Sequence, residues 1–506
     1  MRPDGTSTGR GTMIKFNRVV IVGGGTAGWM AAAALAKTFR DQIRIELIES
    51  DAIATVGVGE ATIPAIKNFH ALLELDEAEF MRAVHGTFKL GIEFVNWGNL
   101  GERYFHPFGP PGVGSWAAQF HHYWLRDAQQ GNASDYEEFS VEASMAKAGR
   151  FGMSGEHKPN YAYHFDAGLY ARLLRRYSEN LGVRRTEGKV VGVHSNPESG
   201  FIESVVLESG QTIGGDLFID CTGFRGLLIE QELETGWEDW SHWLRSDRAI
   251  AVQTESTDSV QPYTQATARS AGWQWRIPLQ HRVGNGLVYS SSYLSDDEAW
   301  TSLENNLDGP LINEPRVIRF RTGRRLKQWN RNCVALGLSS GFLEPLESTS
   351  IHLIQNGIIR LIKLFPSAGI VESEVAQYNE EVRTEFEFIR DFIIMHYHVT
   401  RRADTRYWAD CREMEIPESL AHKIRLFAGN ARIADNPYDL FAAQSWAAVM
   451  LGQGIEPNGH HPIADLSSQA ELGEFLARIR ASVVGIVGQQ PAHRDYVARY
   501  CASTGR

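Results

Sequence analysis

A glycine-rich turn between a strand and a helix constrains the fold of this chain more than any other feature. Residues 18–28 read RVVIVGGGTAG, so an apolar, β-branched run that is typical of a buried strand ends in closely spaced glycines. The alanine-rich segment that follows has the composition of a helix, and residues 43–49, IRIELIE, form the next predicted strand. This β–turn–α–β order predicts a parallel sheet and an α/β fold.

The turn has the spacing of a dinucleotide-binding loop, G-x-G-x-x-G. The first glycine makes the tight turn, the second admits a pyrophosphate, and the third lets the helix and strand pack closely. N–H groups at the helix start, at Thr26 and Ala27, then face the phosphates, and Glu49 stands where a ribose-binding acid belongs. The alternative is a glycine turn that binds no nucleotide. The three glycines are Gly23, Gly25 and Gly28.

Two further glycine-rich segments favour FAD over a nicotinamide cofactor. They are GVGEATIP over residues 57–64 and LGLSSGFLEP over residues 336–345. FAD is long and usually needs distant segments for its two ends, whereas no second G-x-G-x-x-G follows a strand here. We therefore expect the chain to hold FAD without docking NADPH itself. The candidate FAD contacts in these segments are Val58, Gly59, Glu60, Ala61, Leu338 and Pro345.

Composition argues against several other classes of protein. The 506 residues carry a formal net charge of -11, opposite in sign to the basic surfaces that bind nucleic acid. No apolar run of about 18 residues is present, so no transmembrane helix is expected. The four cysteines form no CxxC pair, and no zinc site is expected. We expect a cytoplasmic protein without bound metal, and a homodimer because that is the commonest oligomer.

The chain divides into a leader, a core and a C-terminal part. Residues 1–13 are predicted to be a disordered leader, and residues 14–370 an FAD-binding core. Alternating apolar and polar residues predict an antiparallel sheet inserted into this core at about 236–320. Residues 371–506 are predicted to be mainly helical, to pack on the core and to cover the substrate.

Three other motifs change the interpretation. WQWRIP runs from Trp273 to Pro278, Phe88 and Lys89 lie in GTFKLGIEFVNW, and residues 341–355 read GFLEPLESTSIHLIQ. Together with GVGEATIP, these motifs resemble those of the flavin-dependent tryptophan halogenase family. The resemblance extends over most of the chain and implies a core like that of flavin monooxygenases.

The resemblance implies a two-site enzyme that halogenates an electron-rich aromatic ring. A separate flavin reductase supplies FADH2, and its reaction with O2 and chloride or bromide yields hypohalous acid. That acid travels through an internal tunnel to a lysine, which matches Lys89. The halogen then adds to an indole or indole-containing substrate beside a glutamate, which matches Glu347.

The chemistry of lysine fits this role in two ways. An ammonium offers three donors that can hold and polarise hypohalous acid. A desolvated lysine has a lowered pKa, and its neutral amine can form a haloamine. The sequence leaves both routes open. A lone lysine is ordinarily a solvated surface charge, but Lys89 lies between Phe88 and Leu90, which is unusual company for an exposed position.

The segment after Pro345 reads as the entry to a helix over about 350–365. Glu347 can stabilise a cationic ring intermediate and take its proton, or it can merely complement the helix dipole. Thr349 and Ser350 match the positions at which the family binds halide through backbone N–H groups; the alternative is ordinary N-capping. The best-known tryptophan halogenases have glycine at the second of these positions. Serine disfavours a positive φ, so the halide preference can differ here.

The resemblance also assigns residues to the tunnel between flavin and substrate. The two tryptophans of WxWxIP would keep the substrate away from the flavin and so prevent direct hydroxylation. Without the resemblance they would be read as buried aromatic residues of a strand. The candidate tunnel and substrate residues are Trp273, Trp275, Ile277, Pro278 and Ser348.

The substrate is predicted from two segments. YFHPFG resembles the family segment whose histidine and phenylalanine sandwich the indole, which assigns His106 and Phe108, and Trp446 is a candidate for the opposite wall. Tryptophan-specific members supply a Tyr-Tyr pair for the amino-acid end of the substrate. In this sequence, the one tyrosine of residues 436–454 is Tyr438. We therefore expect free indole or a larger indole-bearing molecule rather than free tryptophan.

Two other functions stay open on the sequence alone. A flavin-dependent aromatic hydroxylase would share the FAD core, but it would give WxWxIP and Lys89 no role. A non-catalytic flavoprotein would leave the combination of Lys89 and Glu347 unexplained. An assay with FAD, NADH, a flavin reductase, a halide and indole separates the three functions by the mass of the product.

Overall fold

The computed structural model describes residues 16–53, 59–132, 134–256, 260–434, 436 and 439–503. The predicted leader, Val58 and Tyr438 lie outside these residues. The described chain has a mixed α/β fold, as predicted, with helices packed on several sheets.

The first part of the chain alternates short strands with helices. Its elements are β1 (Arg18–Val22), α1 (Thr26–Phe39), β2 (Arg44–Glu49), β3 (Gly59–Ala61), α2 (Ile66–Leu72), α3 (Glu77–Ala83), β4 (Thr87–Lys89), β5 (Gly91–Val95), β6 (Arg103–Pro107), α4 (Phe120–Gln129), α5 (Val141–Lys147), β7 (Ala162–Asp166) and α6 (Ala167–Asn180).

The middle of the chain is rich in strands. Its elements are β8 (Arg184–Glu187), β9 (Val190–Ser195), β10 (Ile202–Leu207), β11 (Thr212–Gly214), β12 (Leu217–Asp220), β13 (Trp237–Asp239), β14 (Arg248–Glu255), β15 (Thr264–Arg269), β16 (Gly272–Pro278), β17 (Arg282–Tyr289), α7 (Asp296–Glu304), β18 (Arg316–Arg319), β19 (Gly323–Arg325), β20 (Trp329–Asn330), β21 (Cys333–Ala335) and β22 (Gly341–Phe342).

The last part of the chain is mainly helical, as the sequence predicts. Its α-helices are α8 (Ser350–Lys363), α9 (Glu372–His398), α10 (Arg406–Glu413), α11 (Glu418–Asn430), α12 (Ala443–Gly452), α13 (Gln469–Gly488) and α14 (His493–Tyr500). Within the described ranges, none of the helices is both long and apolar enough to cross a membrane.

A six-stranded sheet carries the glycine turn. Its order is β20-β21-β12-β1-β2-β8, and all pairs are parallel except β20 with β21. The predicted β–turn–α–β unit is confirmed, because β1 pairs with β2 in parallel and α1 connects them. Residues Gly28 to Ala36 of α1 are all buried, which explains why this helix is built almost entirely from small and apolar residues.

A seven-stranded sheet, β18-β14-β17-β16-β15-β5-β6, lies next to a small sheet with the order β3-β7-β4. The predicted antiparallel strands of residues 236–320 form most of the large sheet, and β5 and β6 join it from outside that segment. β5 pairs with β15 in parallel, whereas the other pairs are antiparallel. The strands β16 and β17 contact β3, so the two sheets meet where β3 and β4 approach β16.

Candidate active site

The glycine turn has the geometry of a phosphate cradle. Gly23 has a φ of 111°, and a Cβ on Gly28 would lie 1.9 Å from the carbonyl oxygen of Gly23. These two positions therefore require glycine for the turn and for close packing. Among the described residues, a Cβ on Gly25 would meet no atom within 4 Å, and no side chain caps α1 at this residue. Open space thus faces uncapped N–H groups at the start of α1, including those of Thr26 and Ala27, which fits a pyrophosphate group.

The second glycine-rich turn lies against the first. Gly337 has a φ of 68°, and a Cβ there would come within 2.9 Å of the Cβ of Ala27. Leu338 follows in a short 3-10 helix and is half-buried, as is Pro345 at the start of the next one. The two predicted FAD segments are thus adjacent, although more than 300 residues separate them in the sequence.

Glu49 ends β2 beside the turn. Its carboxylate accepts hydrogen bonds from Nε of Arg185 at 2.6 Å and from the indole N–H of Trp29 at 3.3 Å. A Cβ on Gly24 would overlap this carboxylate, so Glu49 is held directly against the turn. A ribose-binding role for Glu49 remains a prediction.

β3 carries the predicted contacts Gly59, Glu60 and Ala61 between the flavin segments and the large sheet. A Cβ on Gly59 would be 3.5 Å from the side chain of Ile277, and burial raises the pKa of Glu60 to about 7. The loop after this strand holds Thr62, whose carbonyl reaches the predicted catalytic lysine. β3 therefore lies against β16 at Gly59 and leads to the lysine through Thr62.

Lys89 is fully buried at the end of β4. Its ammonium donates to the carbonyl of Thr62 at 3.0 Å and to Oγ of Ser348 at 2.7 Å, and it lies 5.0 Å from the ring centre of Phe108. Burial lowers the pKa of Lys89 from 10.5 to about 7, and the negative charge of Glu347 partly opposes this shift. The ordinary reading of a solvated surface lysine is therefore wrong for this residue.

Glu347 lies on the other side of Ser348 and is also buried, with 1% of its surface exposed. Nδ1 of His106 lies 2.9 Å from one carboxylate oxygen, and Nε2 of His396 lies 2.8 Å from the other. Burial alone would raise the pKa of Glu347, but the two histidines together lower it to about 2. The enclosed carboxylate is therefore ionised at neutral pH.

The residues after Glu347 form the start of α8. Ser348 has a φ of 59°, Thr349 is the N-cap with no side-chain cap bond, and Ser350 is the first helical residue. The left-handed conformation, which serine disfavours, is thus adopted by Ser348 and not by Ser350. Oγ1 of Thr349 is buried and has no hydrogen-bond partner among the described residues. An uncapped helix start with an unpartnered hydroxyl suits an anion.

The WxWxIP motif forms β16, and its apolar side chains face the core. Trp273 donates from its indole N–H to Glu344 at 2.9 Å, and the ring of Trp275 covers Gly286, where a Cβ would come within 2.1 Å of it. The carbonyl of Pro278 accepts from the hydroxyl of Thr87 at 2.6 Å, which ties this strand to β4. The motif therefore lies beside the lysine strand and the flavin segments at once.

Aromatic rings surround His106. Phe392 lies 5.7 Å and Phe441 lies 6.2 Å from the His106 ring centre, and these two phenylalanines stack on each other at 3.8 Å. Trp446 is buried behind them and contacts Phe392 edge-on at 4.9 Å. Phe392 and Phe441, rather than Trp446, therefore contact the predicted substrate histidine.

Sequence reasoning missed five residues of this site, which are Tyr104, Glu344, Phe392, His396 and Phe441. Phe392 and His396 lie one helical turn apart on α9, a spacing that marks one face of a helix but not which partner it meets. Tyr104 lies two residues before His106 on β6, and Glu344 lies three before Glu347. Tyr104 lies in YFHPFG and Glu344 lies in GFLEPLESTSIHLIQ. Their closeness in sequence to the predicted His106 and Glu347 was the signal that could have identified them.

Comparison with known proteins gives a consistent result. The family model for tryptophan halogenase matches residues 18–469. Tryptophan 6-halogenase SttH from Streptomyces toxytricini is 36% identical, over 95% of this chain and 98% of its own. The solved structure of Xcc4156, a flavin-dependent halogenase from Xanthomonas campestris, is 52% identical with a TM-score of 0.96, over 97% of this chain and 99% of that one.

A second solved structure agrees. BrvH, a flavin-dependent halogenase from Brevundimonas sp. BAL3, is 45% identical with a TM-score of 0.93, over 96% of this chain and 99% of that one. These similarities support a halogenase and give no support to a hydroxylase or to a non-catalytic flavoprotein. The chain therefore belongs to the tryptophan halogenase family and is a flavin-dependent halogenase.

Proposed function

We propose that this halogenase uses Lys89 and Glu347 to halogenate an indole that carries no free amino-acid end. The observation that carries the proposal is the pair itself: the buried ammonium of Lys89 donates to Ser348, and the buried carboxylate of Glu347, the residue before Ser348, lies beside an aromatic cluster. A lysine and a glutamate that are both fully buried are rare unless they serve chemistry or pair with each other. The proposed cofactor is FAD, reduced by a separate flavin reductase.

The two glycine turns would hold the FAD pyrophosphate at the start of α1, with Leu338 and Pro345 near its other end. When bound and reduced, FAD supplies hypohalous acid from O2 and a halide. The uncapped start of α8, at Thr349 and Ser350, is the proposed halide site, because its backbone N–H groups and the Thr349 hydroxyl face no protein partner in the described chain. Both chloride and bromide fit this proposal.

Lys89 would hold the hypohalous acid. The Thr62 carbonyl can only accept a hydrogen bond, and the Ser348 hydroxyl accepts a second one, so the ammonium keeps one N–H for the oxygen of the acid. This arrangement favours the hydrogen-bonded acid over a haloamine. As the ring carbon attacks the halogen, the halogen–oxygen bond breaks, and the departing hydroxide takes a proton from Lys89 to leave as water.

Glu347 would complete the substitution. The ring carbon that has bound the halogen carries one hydrogen too many, and the ring is positively charged. An ionised carboxylate stabilises that charge and accepts the proton, which restores aromaticity. Return of this proton to Lys89 resets both residues, so the sum is Ar–H + HOX → Ar–X + H2O.

The aromatic cluster supports an uncharged indole substrate. Phe108, Phe392 and Phe441 offer apolar surfaces near His106. The ammonium of Lys423 lies 4.0 Å from the ring centre of Trp446 and forms an ion pair with Asp439 at 2.6 Å. Neither member offers an unmatched charge to the carboxylate or ammonium of free tryptophan.

The central test is Lys89→Met, which keeps the length of the apolar side chain but removes the ammonium. Indole, bromide or chloride, FAD, NADH and a flavin reductase are supplied, and the halogenated product is detected by its isotope doublet. We expect a loss of at least about hundredfold in turnover, because one positioned proton donor contributes 10²–10⁴-fold.

Flavin binding, followed by absorbance on titration with FAD, is expected to be unchanged in the same variant, because Lys89 donates its hydrogen bonds to Thr62 and Ser348, outside the turns at Gly23 and Gly337. Halogenation by Lys89→Met at the wild-type rate would show that the assignment of Lys89 is wrong. A second arm compares indole with free tryptophan, and faster turnover of tryptophan would contradict the proposed substrate.

A further inference from the structure

Three buried side chains, those of Gln453, Tyr104 and His396, are joined by hydrogen bonds behind Glu347. Tyr104 on β6 and His396 on α9 are both buried, and the Tyr104 hydroxyl lies 3.0 Å from Nδ1 of His396. Nε2 of the same histidine lies 2.8 Å from the Glu347 carboxylate, at ion-pair distance, although its N–H is not aligned for a hydrogen bond. The side-chain amide of Gln453 donates to the Tyr104 oxygen at 3.3 Å.

Each hydrogen-bond donor in this series points toward Glu347. Because the Tyr104 oxygen accepts from Gln453, its own O–H is free to donate to Nδ1 of His396. Burial raises the pKa of Tyr104 well above 10 and lowers the pKa of His396, so the phenol keeps its proton and the imidazole is neutral. A neutral imidazole that accepts at Nδ1 must carry its hydrogen on Nε2, which is the nitrogen that faces Glu347.

We propose that Tyr104 and His396 are positioning residues for Glu347: Tyr104 fixes the tautomer of His396, and the Nε2–H of His396 then keeps the carboxylate ionised and aimed. The inference rests on the proposed role of Glu347 as the proton acceptor. The two residues act through Glu347 and need not touch the substrate.

The packing of neighbouring residues holds the rings of Tyr104 and His396 in place. The His396 ring stacks on Phe94 at 4.7 Å, and Tyr104 stacks on the same Phe94 at 4.9 Å with nearly parallel planes. Gly452 is required beside them, because a Cβ there would come within 2.4 Å of the Tyr104 ring. Both rings are thus held edge to edge on one aromatic surface, which fixes the hydroxyl opposite Nδ1.

The charges around Glu347 define what each variant should do. The titratable groups that face it are His106 and Tyr104 from β6, His396 from α9 and Lys89 from β4. Burial raises the pKa of Glu347, and the two histidines overcome that effect. Removing the His396 donor leaves burial less opposed, so the pKa of Glu347 must rise.

The test measures this ionisation directly. Infrared difference spectra of the full-length protein are recorded as a function of pH, and the carboxylate band of Glu347 is assigned by its absence in Glu347→Gln. Loss of this band on acidification reports the protonation of Glu347. In the wild type, we expect Glu347 to stay ionised down to the pH of acid unfolding. In His396→Phe its pKa should rise by about two units, and in Tyr104→Phe by about one, because a lost hydrogen bond or partner shifts a buried carboxyl by that order.

Two further variants separate positioning from packing. His396→Gln restores an N–H donor and should recover most of the shift. Tyr170→Phe is the matched control, because Tyr170 is an equally buried tyrosine whose hydroxyl lies 3.0 Å from a buried histidine, His70, in another part of the chain. It should leave the Glu347 band unmoved.

The kinetic readout is the pH dependence of kcat with indole. As the pKa of Glu347 rises, the acid limb of the profile should move to higher pH by the same amount in His396→Phe and Tyr104→Phe. If the infrared titration of Glu347 is unchanged in both variants, the positioning role is overturned. If the infrared shift occurs but the rate profile does not follow, the positioning stands and the role of Glu347 as proton acceptor is overturned. Should His396→Phe fail to fold, the milder Tyr104→Phe decides the first question.

Discussion

Lys89 is a cation whose burial lowers the stability of the fold at neutral pH. A fully buried ammonium with one amide carbonyl and one hydroxyl as acceptors is poorly compensated, and burial accordingly lowers its pKa to about 7. The unfolded chain keeps the ordinary lysine pKa near 10.5. Between pH 7 and pH 10.5 the unfolded state therefore binds more protons, and the free energy of unfolding must rise with pH across this window.

Lys89→Met should remove that dependence. We expect the free energy of unfolding to rise less between pH 7 and pH 10 in this variant than in the wild type. The difference between the two rises is on the order of 1.4 kcal/mol for each unit of pKa shift that the substitution abolishes. Denaturant titrations at several pH values measure this. Lys189→Met, at an exposed position, is the control and should leave the slope unchanged. An equal slope in Lys89→Met and wild type would show that Lys89 is not the desolvated cation.

Ser348 combines a functional hydroxyl with an unfavourable backbone conformation. Its φ of 59° is left-handed, and its Oγ accepts from Lys89. Ser348→Ala and Ser348→Gly both delete the hydroxyl, but only glycine adopts this φ without a steric penalty. We expect Ser348→Gly to be more stable than Ser348→Ala by about 1 kcal/mol in urea unfolding. The reverse order would contradict the left-handed backbone.

At the scale of elements, the junction of β1 and α1 contains one glycine that packing requires and another that leaves space for the cofactor. Gly28→Ala would place a methyl 1.9 Å from the Gly23 carbonyl and must push the helix from the strand, whereas Gly25→Ala meets no protein atom within 4 Å. We expect Gly28→Ala to lose about 1–3 kcal/mol of stability together with flavin binding. Gly25→Ala should fold like the wild type yet bind FAD at least about tenfold more weakly, because its methyl enters the pyrophosphate space.

Thermal unfolding and FAD titration of the two variants decide this prediction. Equal FAD affinity in Gly25→Ala and wild type would mean that the pyrophosphate does not approach this turn. Equal stability in Gly28→Ala and wild type would mean that the contact between helix and strand is looser than 1.9 Å.

Elements that depend on local pattern were predictable, and those that depend on distant partners were not. The strand–turn–helix at residues 18–39 and the helix after Thr349 follow from periodicity and glycine spacing, and both are confirmed. The pairing of β5 with β15 joins strands about 170 residues apart and left no local signal. His396 and Phe392 looked like one face of a long amphipathic helix, and only the fold shows that this face meets Glu347 and His106.

At the scale of the whole molecule, the C-terminal helix supports the lysine strand. Nε2 of His493, on α14, accepts from the backbone N–H of Phe88 at 3.2 Å, and its Nδ1 lies 2.8 Å from the Val260 carbonyl. Burial lowers the pKa of His493 to about 4, so the neutral ring can accept at one nitrogen and donate at the other. Lys89 is the next residue after Phe88, which links α14 to the lysine that we propose as catalytic.

His493→Ala should therefore weaken both stability and activity. A buried N–H left without an acceptor costs about 1–3 kcal/mol, and displacement of β4 should lower kcat several-fold with little change in KM for indole. Chemical unfolding and steady-state assays measure the two effects. Asp495→Ala, at an exposed position of the same helix, should behave like the wild type. Full activity in His493→Ala would show that α14 does not support the lysine strand.

The contact between Phe88 and His493 also has a consequence for synthesis of the protein. It joins residues 405 positions apart. At about 5–20 residues per second, a ribosome needs roughly 20–80 s to make the intervening chain. For that time the backbone N–H of Phe88 lacks its acceptor, although β4 can already pair with β7. The surroundings of Lys89 are therefore completed only after α14 has been synthesised.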